Sequence, residues 1–285
     1  MIRVNIGGVP EHFNYPWHYG IEHGLFKNVD IDLNWINYPG GTGAMCSALR
    51  NNDLDIAIVL TEGIIKDISV GNPSKIIQTY VDTPLLWGIH VNNFSNFDDV
   101  KDLKGKTAAI SRMGSGSHLM SFINATKYNW DLDKDLNFKI VNDINGGIKA
   151  LQEGSADYFL WEKYTTKPLV DNKIFKSLGD CPTPWPCFMI VASNKFISEN
   201  KNNLEKILLT INSVTKQIKD IPSIENRISK KYCIQLNDIE KWLRITNWSQ
   251  QLPSKRIITK TQTKLFENKI IKHELNYEDL VFKVY

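Results

Sequence analysis

The sequence predicts an α/β fold of two lobes joined by two hinge strands, with mixed, mostly parallel sheets. Three observations carry this expectation. Short runs rich in Val and Ile alternate with helix-length amphipathic segments over residues 1 to 195, the rhythm of parallel strands joined by crossover helices. Two extended, proline-punctuated stretches, YVDTPLLWGIHVNN and GDCPTPWPCFMIVASN, interrupt that rhythm and are long enough to pass from one lobe to another. At 285 residues the chain also exceeds the usual size of one compact domain, so each lobe can bury its own core.

The strand-like runs are VNIGGV, IDLNWINY, LDIAIVL and KIIQTYV in the first third, then TAAISRM, FKIVND, ADYFLW and FMIVAS. Helices are expected to start near Pro16, Thr42, Gly63, Ser117 and Asn145. After Asn194 the texture becomes helical: Leu204, Ile207, Leu208, Ile211, Val214 and Ile218 recur at helical spacing, and Leu236, Ile239, Trp242 and Leu243 form a second stripe. Two crossings place residues 92–182 in one lobe, and residues 1–91 together with 183–285 in the other. A chain so arranged can hinge, and its ligand belongs in the cleft between the lobes.

Composition narrows the function classes. Hydrophobic residues make up 42% and charged residues 23%, as in an ordinary soluble globular protein. The net charge of +3 is small and Lys and Arg form no basic block, so nucleic acid is not an expected partner. No apolar run approaches the ~20 residues that span a bilayer, so membrane insertion is not expected. MIRVNIGGV carries no secretory signal, which makes a cytoplasmic location the expectation, or a periplasmic or extracellular one if a leader was removed. Four cysteines, Cys46, Cys181, Cys187 and Cys233, are too few for a disulfide scaffold and lack metal-like spacing. His12, His18 and His23 do not complete a ligand set either, so no metal and no cofactor are expected, and a monomer is favoured.

In a parallel α/β sheet ligands sit beyond the carboxyl ends of the strands, where helix N-termini present unpaired N–H groups. The turns at those ends are therefore the candidate site. After the first strand come Phe13, Asn14 and Trp17. After the second come Gly41, Thr42 and Gly43, where glycine lets the backbone approach a ligand and Thr42 is placed to cap the next helix. Thr61 and Glu62 follow the third. In the other lobe the equivalents are Ser115, Gly116, Ser117 and His118, and then Trp161 with Glu162. SRMGSGSH has Leu119 where a dinucleotide fingerprint needs its third glycine. It also lacks the Gly-Lys-Ser/Thr ending of a phosphate loop and the glycines flanking a nucleophile elbow. What remains is a hydroxyl-bearing turn ahead of a helix, suited to an oxyanion or a neutral polar group alike.

The series GIEHGLFKNVDIDLNWINYPGGTGAMCSALRNNDLDIAIVLTEG, DLKGKTAAISRMGSGSH, GGIKALQEGSADYFLWEKY and PWPCFMIVASNKFI resembles the type II periplasmic-binding-protein-like fold. Within it the chain looks like the branch of receptors for sulfonates and thiamine pyrimidine precursors, which also holds the thiamine pyrimidine precursor synthases. The resemblance implies a solute-binding protein that closes over a small polar or heteroaromatic ligand without catalysis. The alternative it implies is an enzyme of thiamine pyrimidine precursor biosynthesis, for which Lys66 would carry a pyridoxal cofactor. The cysteine-rich run that marks the synthases is missing. In receptors of this branch that hold an aminopyrimidine, a carboxylate and aromatic rings recognise it, which singles out Glu162, Trp17 and Trp161. A sulfonate would instead draw on Gly41, Thr42, Ser115 and Ser117.

Overall fold

The computed structural model describes residues 1–285, which divide into two compact units: Met1–Thr83 with Trp185–Tyr285, and Pro84–Pro184. Unit 1 opens with β1 (Ile2–Gly8), a short 3-10 turn at His12–Asn14, α1 (Tyr15–Glu22), β2 (Ile31–Asn37), α2 (Gly41–Arg50), β3 (Ile56–Leu60), α3 (Thr61–Ser69) and β4 (Ser74–Val81). Unit 2 contains β5 (Leu86–Asn92), β6 (Thr107–Ile110), α4 (Gly116–Lys127), β7 (Asn137–Ile140), α5 (Ile144–Gln152), β8 (Tyr158–Glu162), α6 (Lys163–Asp171) and β9 (Phe175–Pro182). The chain then returns to unit 1 with β10 (Phe188–Ser193), α7 (Asn194–Glu199), α8 (Lys201–Gln217), α9 (Ile224–Tyr232), α10 (Leu236–Ile245), α11 (Lys255–Glu267) and α12 (Tyr277–Leu280).

Both units are built on one plan. Unit 1 has a five-stranded sheet in the order β2-β1-β3-β10-β4, and unit 2 one in the order β7-β6-β8-β5-β9. In each, the first three strands are mutually parallel and the fourth in the order runs against both its neighbours. That reversed strand, β10 or β5, is the first to follow a crossing. The alternation of βα units in the sequence is thus a pair of mixed sheets in which only the fourth strand of each order is reversed, and hydrophobic runs such as Ile56–Leu60 are almost wholly buried.

The boundaries differ from those expected. Residues 84–91 belong to unit 2, since β5 pairs with β8 and β9 and not with the sheet of unit 1. The stretch from Leu86 onward looked like a connector, yet it is the reversed strand of its sheet, paired on both sides. At the far end the crossing falls between Pro184 and Trp185 rather than at 182/183.

The C-terminal helices follow their apolar stripes. Leu204, Ile207, Leu208, Ile211, Val214 and Ile218 are all buried, and α8 packs on α1. Each such side chain contributes about 1.5–3 kcal/mol on burial. In α10, Ile239, Trp242 and Leu243 are buried while Leu236 stays exposed at the first turn. No helix is long and apolar enough to cross a membrane.

Candidate functional site

The expected site residues lie in the turns at the carboxyl ends of the parallel strands, and nearly all their side chains are buried. In unit 1, β1 leads into the turn that carries Phe13 and Asn14. Phe13 packs in an aromatic cluster, 5.1 Å from Phe188 and 5.2 Å from Trp242 between ring centroids, and its carbonyl accepts from the Tyr80 hydroxyl at 2.9 Å. His12 lies in the same cluster, 4.4 Å from Trp242, and burial pushes its pKa down to about 3. Asn14 donates Nδ2–H to the Val9 carbonyl at 2.9 Å, while its buried Oδ1 has no hydrogen-bond partner. One turn on, Trp17 is fully buried and stacked on Phe26, with Nε1 likewise unpartnered.

Thr42 does not cap α2. The N-cap position is Gly40, without a side-chain cap, and Gly41 adopts φ +69°, a left-handed conformation in which glycine is at ease. Thr42 Oγ1 instead accepts the backbone N–H of Leu60 at 3.0 Å, tying the start of α2 to the end of β3. Gly43 follows in the first turn of α2. Next to this tie, α3 begins at Thr61 rather than at Gly63. Thr61 donates its hydroxyl to the Pro186 carbonyl and its backbone N–H to the Cys187 carbonyl. Glu62 is 3% exposed; Oε2 accepts the indole N–H of Trp185 at 2.8 Å and Oε1 has no partner. Burial pushes its pKa up to about 7, against the pull of its hydrogen bonds. Lys66 falls in the last turn of α3, at the end away from β3.

In unit 2 the SRMGSGSH turn follows β6. Ser115, not Ser117, is the N-cap of α4, accepting the His118 N–H at 3.3 Å, and Gly116 is the first helical residue. Ser117 Oγ accepts the Ser111 N–H at 3.0 Å and lies 3.1 Å from Ser115 Oγ. The serine hydroxyls therefore serve one another and the local backbone. Gly114 donates its N–H to His118 Nδ1 at 3.0 Å, so Nδ1 carries no proton and a neutral ring holds its hydrogen on Nε2. Phe122 and Phe138 meet the ring edge-on.

Trp161 and Glu162 were expected side by side, but the pleat of β8 sends successive side chains to opposite faces. Trp161 lies 5.0 Å from Phe159 and packs on the cluster of Ala109, Val141, Ala150 and Leu151. Glu162 caps α6: Oε2 accepts both the backbone N–H and the hydroxyl of Thr165, at 2.7 and 2.8 Å. Its Oε1 has no partner, the residue is 3% exposed, and burial pushes its pKa up to about 7 against the pull of those bonds and of Lys163.

Each unit thus carries, at the end of the third strand in its sheet order, a buried glutamate with one oxygen bonded and one open. Two tryptophans missed in the sequence stand beside these glutamates. Trp185 bonds Glu62, and Trp87 occupies the position of β5 directly across from Glu162. The signal for both was the echo Thr83-Pro84-Leu85-Leu86-Trp87 and Thr183-Pro184-Trp185 at the crossings. No group of three or more His, Cys, Asp or Glu side chains is placed to hold a metal ion.

Two five-stranded sheets of matching strand order recur in known proteins. The CA3427 gene product of Candida albicans, described as exhibiting the generic periplasmic binding protein structural fold, superposes with TM-score 0.91 at 24% identity, over 99% of this chain and 97% of that one. The chain has the type II periplasmic-binding-protein fold. A family model described as Ca3427-like PBP matches residues 87–181 of it. The same fold is found in the alkanesulfonate-binding protein SsuA of Xanthomonas axonopodis pv. citri bound to MOPS, with TM-score 0.83 at 15% identity over 99% and 98% of the two chains. It recurs in the aliphatic sulphonate binding protein SsuA of Escherichia coli, with TM-score 0.73 at 15% identity over 99% and 92%. No curated protein matches the sequence.

Proposed function

We propose that this chain is a solute-binding protein for a small ligand rich in N–H donors, an amino-substituted heteroaromatic molecule in preference to a sulfonate, with no catalysis of its own. The observation that carries the reading is the pair of open acceptor oxygens, Glu62 Oε1 and Glu162 Oε1, buried at equivalent strand ends of the two units. A buried carboxylate oxygen without a donor is costly, and a ligand N–H offsets that cost where another acceptor would add to it. The open Asn14 Oδ1 adds a third acceptor. The serine hydroxyls, which a sulfonate would need, are already engaged with one another and the backbone.

In this reading the open acceptors of each unit are partners for ligand N–H groups, and a ligand shifts the population toward whichever conformation gives it those contacts. The sulfonate receptors of the same fold support solute binding as a class; the open acceptors support a different ligand chemistry. The test is native mass spectrometry of freshly purified protein for a co-purified molecule, with a thermal-shift panel of aminopyrimidines, sulfonates and carboxylates. A tight ligand at a hundredfold excess stabilises by about 2.7 kcal/mol. Stabilisation by amino-heterocycles is the expected result, and stabilisation by sulfonates alone overturns the ligand assignment.

A further inference from the structure

Trp87 and Glu162 are a cross-strand pair. Trp87 of β5 lies opposite Glu162 of β8 in the antiparallel ladder, and their side chains rise from the same face of the sheet. Both are buried, at 5% and 3% exposure. Trp87 Nε1 has no hydrogen-bond partner, nor does Glu162 Oε1. A donor and an acceptor thus stand on neighbouring positions without bonding each other. Unit 1 shows the alternative: there the Trp185 indole closes on Glu62 at 2.8 Å.

The second oxygen of Glu162 is committed to Thr165, so the carboxylate offers a ligand one acceptor and not two. A group with donors at both positions, such as an amidinium, would satisfy Oε1 and leave the indole N–H facing another hydrogen. A sulfonate would satisfy the indole and oppose the carboxylate. The complementary edge has one N–H beside one lone pair, as in an aminoazine or a primary carboxamide.

We propose that Trp87 is a specificity-determining residue of the ligand site: its indole N–H takes the lone pair of the same ligand edge whose N–H is taken by Glu162 Oε1. This rests on the solute-binding reading above and adds to it the hydrogen-bond order of the ligand edge.

The test is titration of the ¹⁵N-labelled full chain with 4-aminopyrimidine and with aniline, which keeps the amino donor and lacks the ring acceptor, followed at the Trp87 indole resonance. The expected result is a downfield shift of the Trp87 indole proton with 4-aminopyrimidine and none with aniline. Trp87→Phe should weaken 4-aminopyrimidine about tenfold, or 1.4 kcal/mol, and leave aniline unchanged. Binding of 4-aminopyrimidine that leaves the indole resonance in place overturns the proposal, as does absence of binding at millimolar concentration. The wild-type shift decides the matter even if the variant fails to fold. The broader reading fails separately, if no N–H-bearing compound in the thermal-shift panel stabilises the protein.

Discussion

The indole N–H of Trp185 lies 2.8 Å from Glu62 Oε2, joining the chain just past the second crossing to the first turn of α3. With its other oxygen open, Glu62 is held in the fold at a cost. Its pKa is about 7 in the folded chain against 4.5 ordinarily, so the native state binds the proton more tightly than the unfolded one. Stability therefore falls as pH rises from 4.5 to 7, by about 3 kcal/mol for this one group. Glu62→Gln keeps an acceptor for Trp185 and removes the titration. The variant should gain on the wild type as pH rises through that window and hold the gain above it, in urea unfolding at about pH 5 and about pH 8. His12 and His90, kept neutral by burial down to about 3 and about 4, act in the opposite sense below 6.5, so the comparison is between variant and wild type at each pH.

If Glu162 Oε1 is the ligand acceptor proposed above, ligand affinity depends on pH in a direction set by ligand chemistry. An N–H donor binds the carboxylate, so its affinity should rise as pH passes upward through about 7. An anion prefers the protonated acid, and its affinity should fall over the same range. Calorimetric titration at pH values on either side, in buffers of different ionisation enthalpy, also reads the proton released by the donor ligand. A falling affinity for amino-heterocycles would exclude Glu162 as their acceptor.

Gly63 leaves room for Thr42. A Cβ built on Gly63 would stand 2.5 Å from Thr42 Cγ2, so Gly63→Ala must displace the threonine that accepts the Leu60 N–H. Overpacking of this kind costs about 1–3 kcal/mol. Thr42→Ser keeps the hydroxyl and removes the methyl in the way, so the double variant should be more stable than Gly63→Ala alone. Chemical denaturation of the four proteins of the cycle measures this coupling, and strict additivity would contradict it.

Ser115 caps α4, and its loss should be felt as a cap loss. Ser115→Ala removes the acceptor of the His118 N–H and a neighbour of Ser117 Oγ, at about 1 kcal/mol. A lower denaturant midpoint with unchanged slope is the expected outcome. Ser117→Ala frees the Ser111 N–H as well and should cost at least as much.

Much of this architecture was legible because the buried strands are Val- and Ile-rich and the C-terminal stripes keep helical period. What escaped did so for local reasons. The strand Phe175–Pro182 reads FKSLGDCP, whose Gly, Asp and Pro argue for a turn, and it forms because β5 offers it a partner. The helix Lys163–Asp171 carries Pro168 in its interior and few apolar residues, and its start is secured by Glu162. The glutamates were visible as turn residues after strands. That each has one satisfied and one open oxygen depends on Trp185 and Thr165, and such partnerships are made by tertiary contacts that no local pattern announces. The same holds for Trp161, whose neighbour in sequence is its opposite across the sheet.

The interleaved strand order has a consequence for how the protein comes off the ribosome. When residue 83 has emerged, β4 has nothing to pair with, because β10 stands between it and β3. Pro84–Pro184, in contrast, holds all five strands of its own sheet in one uninterrupted span. The later-synthesised half can mature first, while the earlier half waits, strand edges bare, until residue 193 arrives; protease sensitivity of chains stalled before and after that point would report the wait.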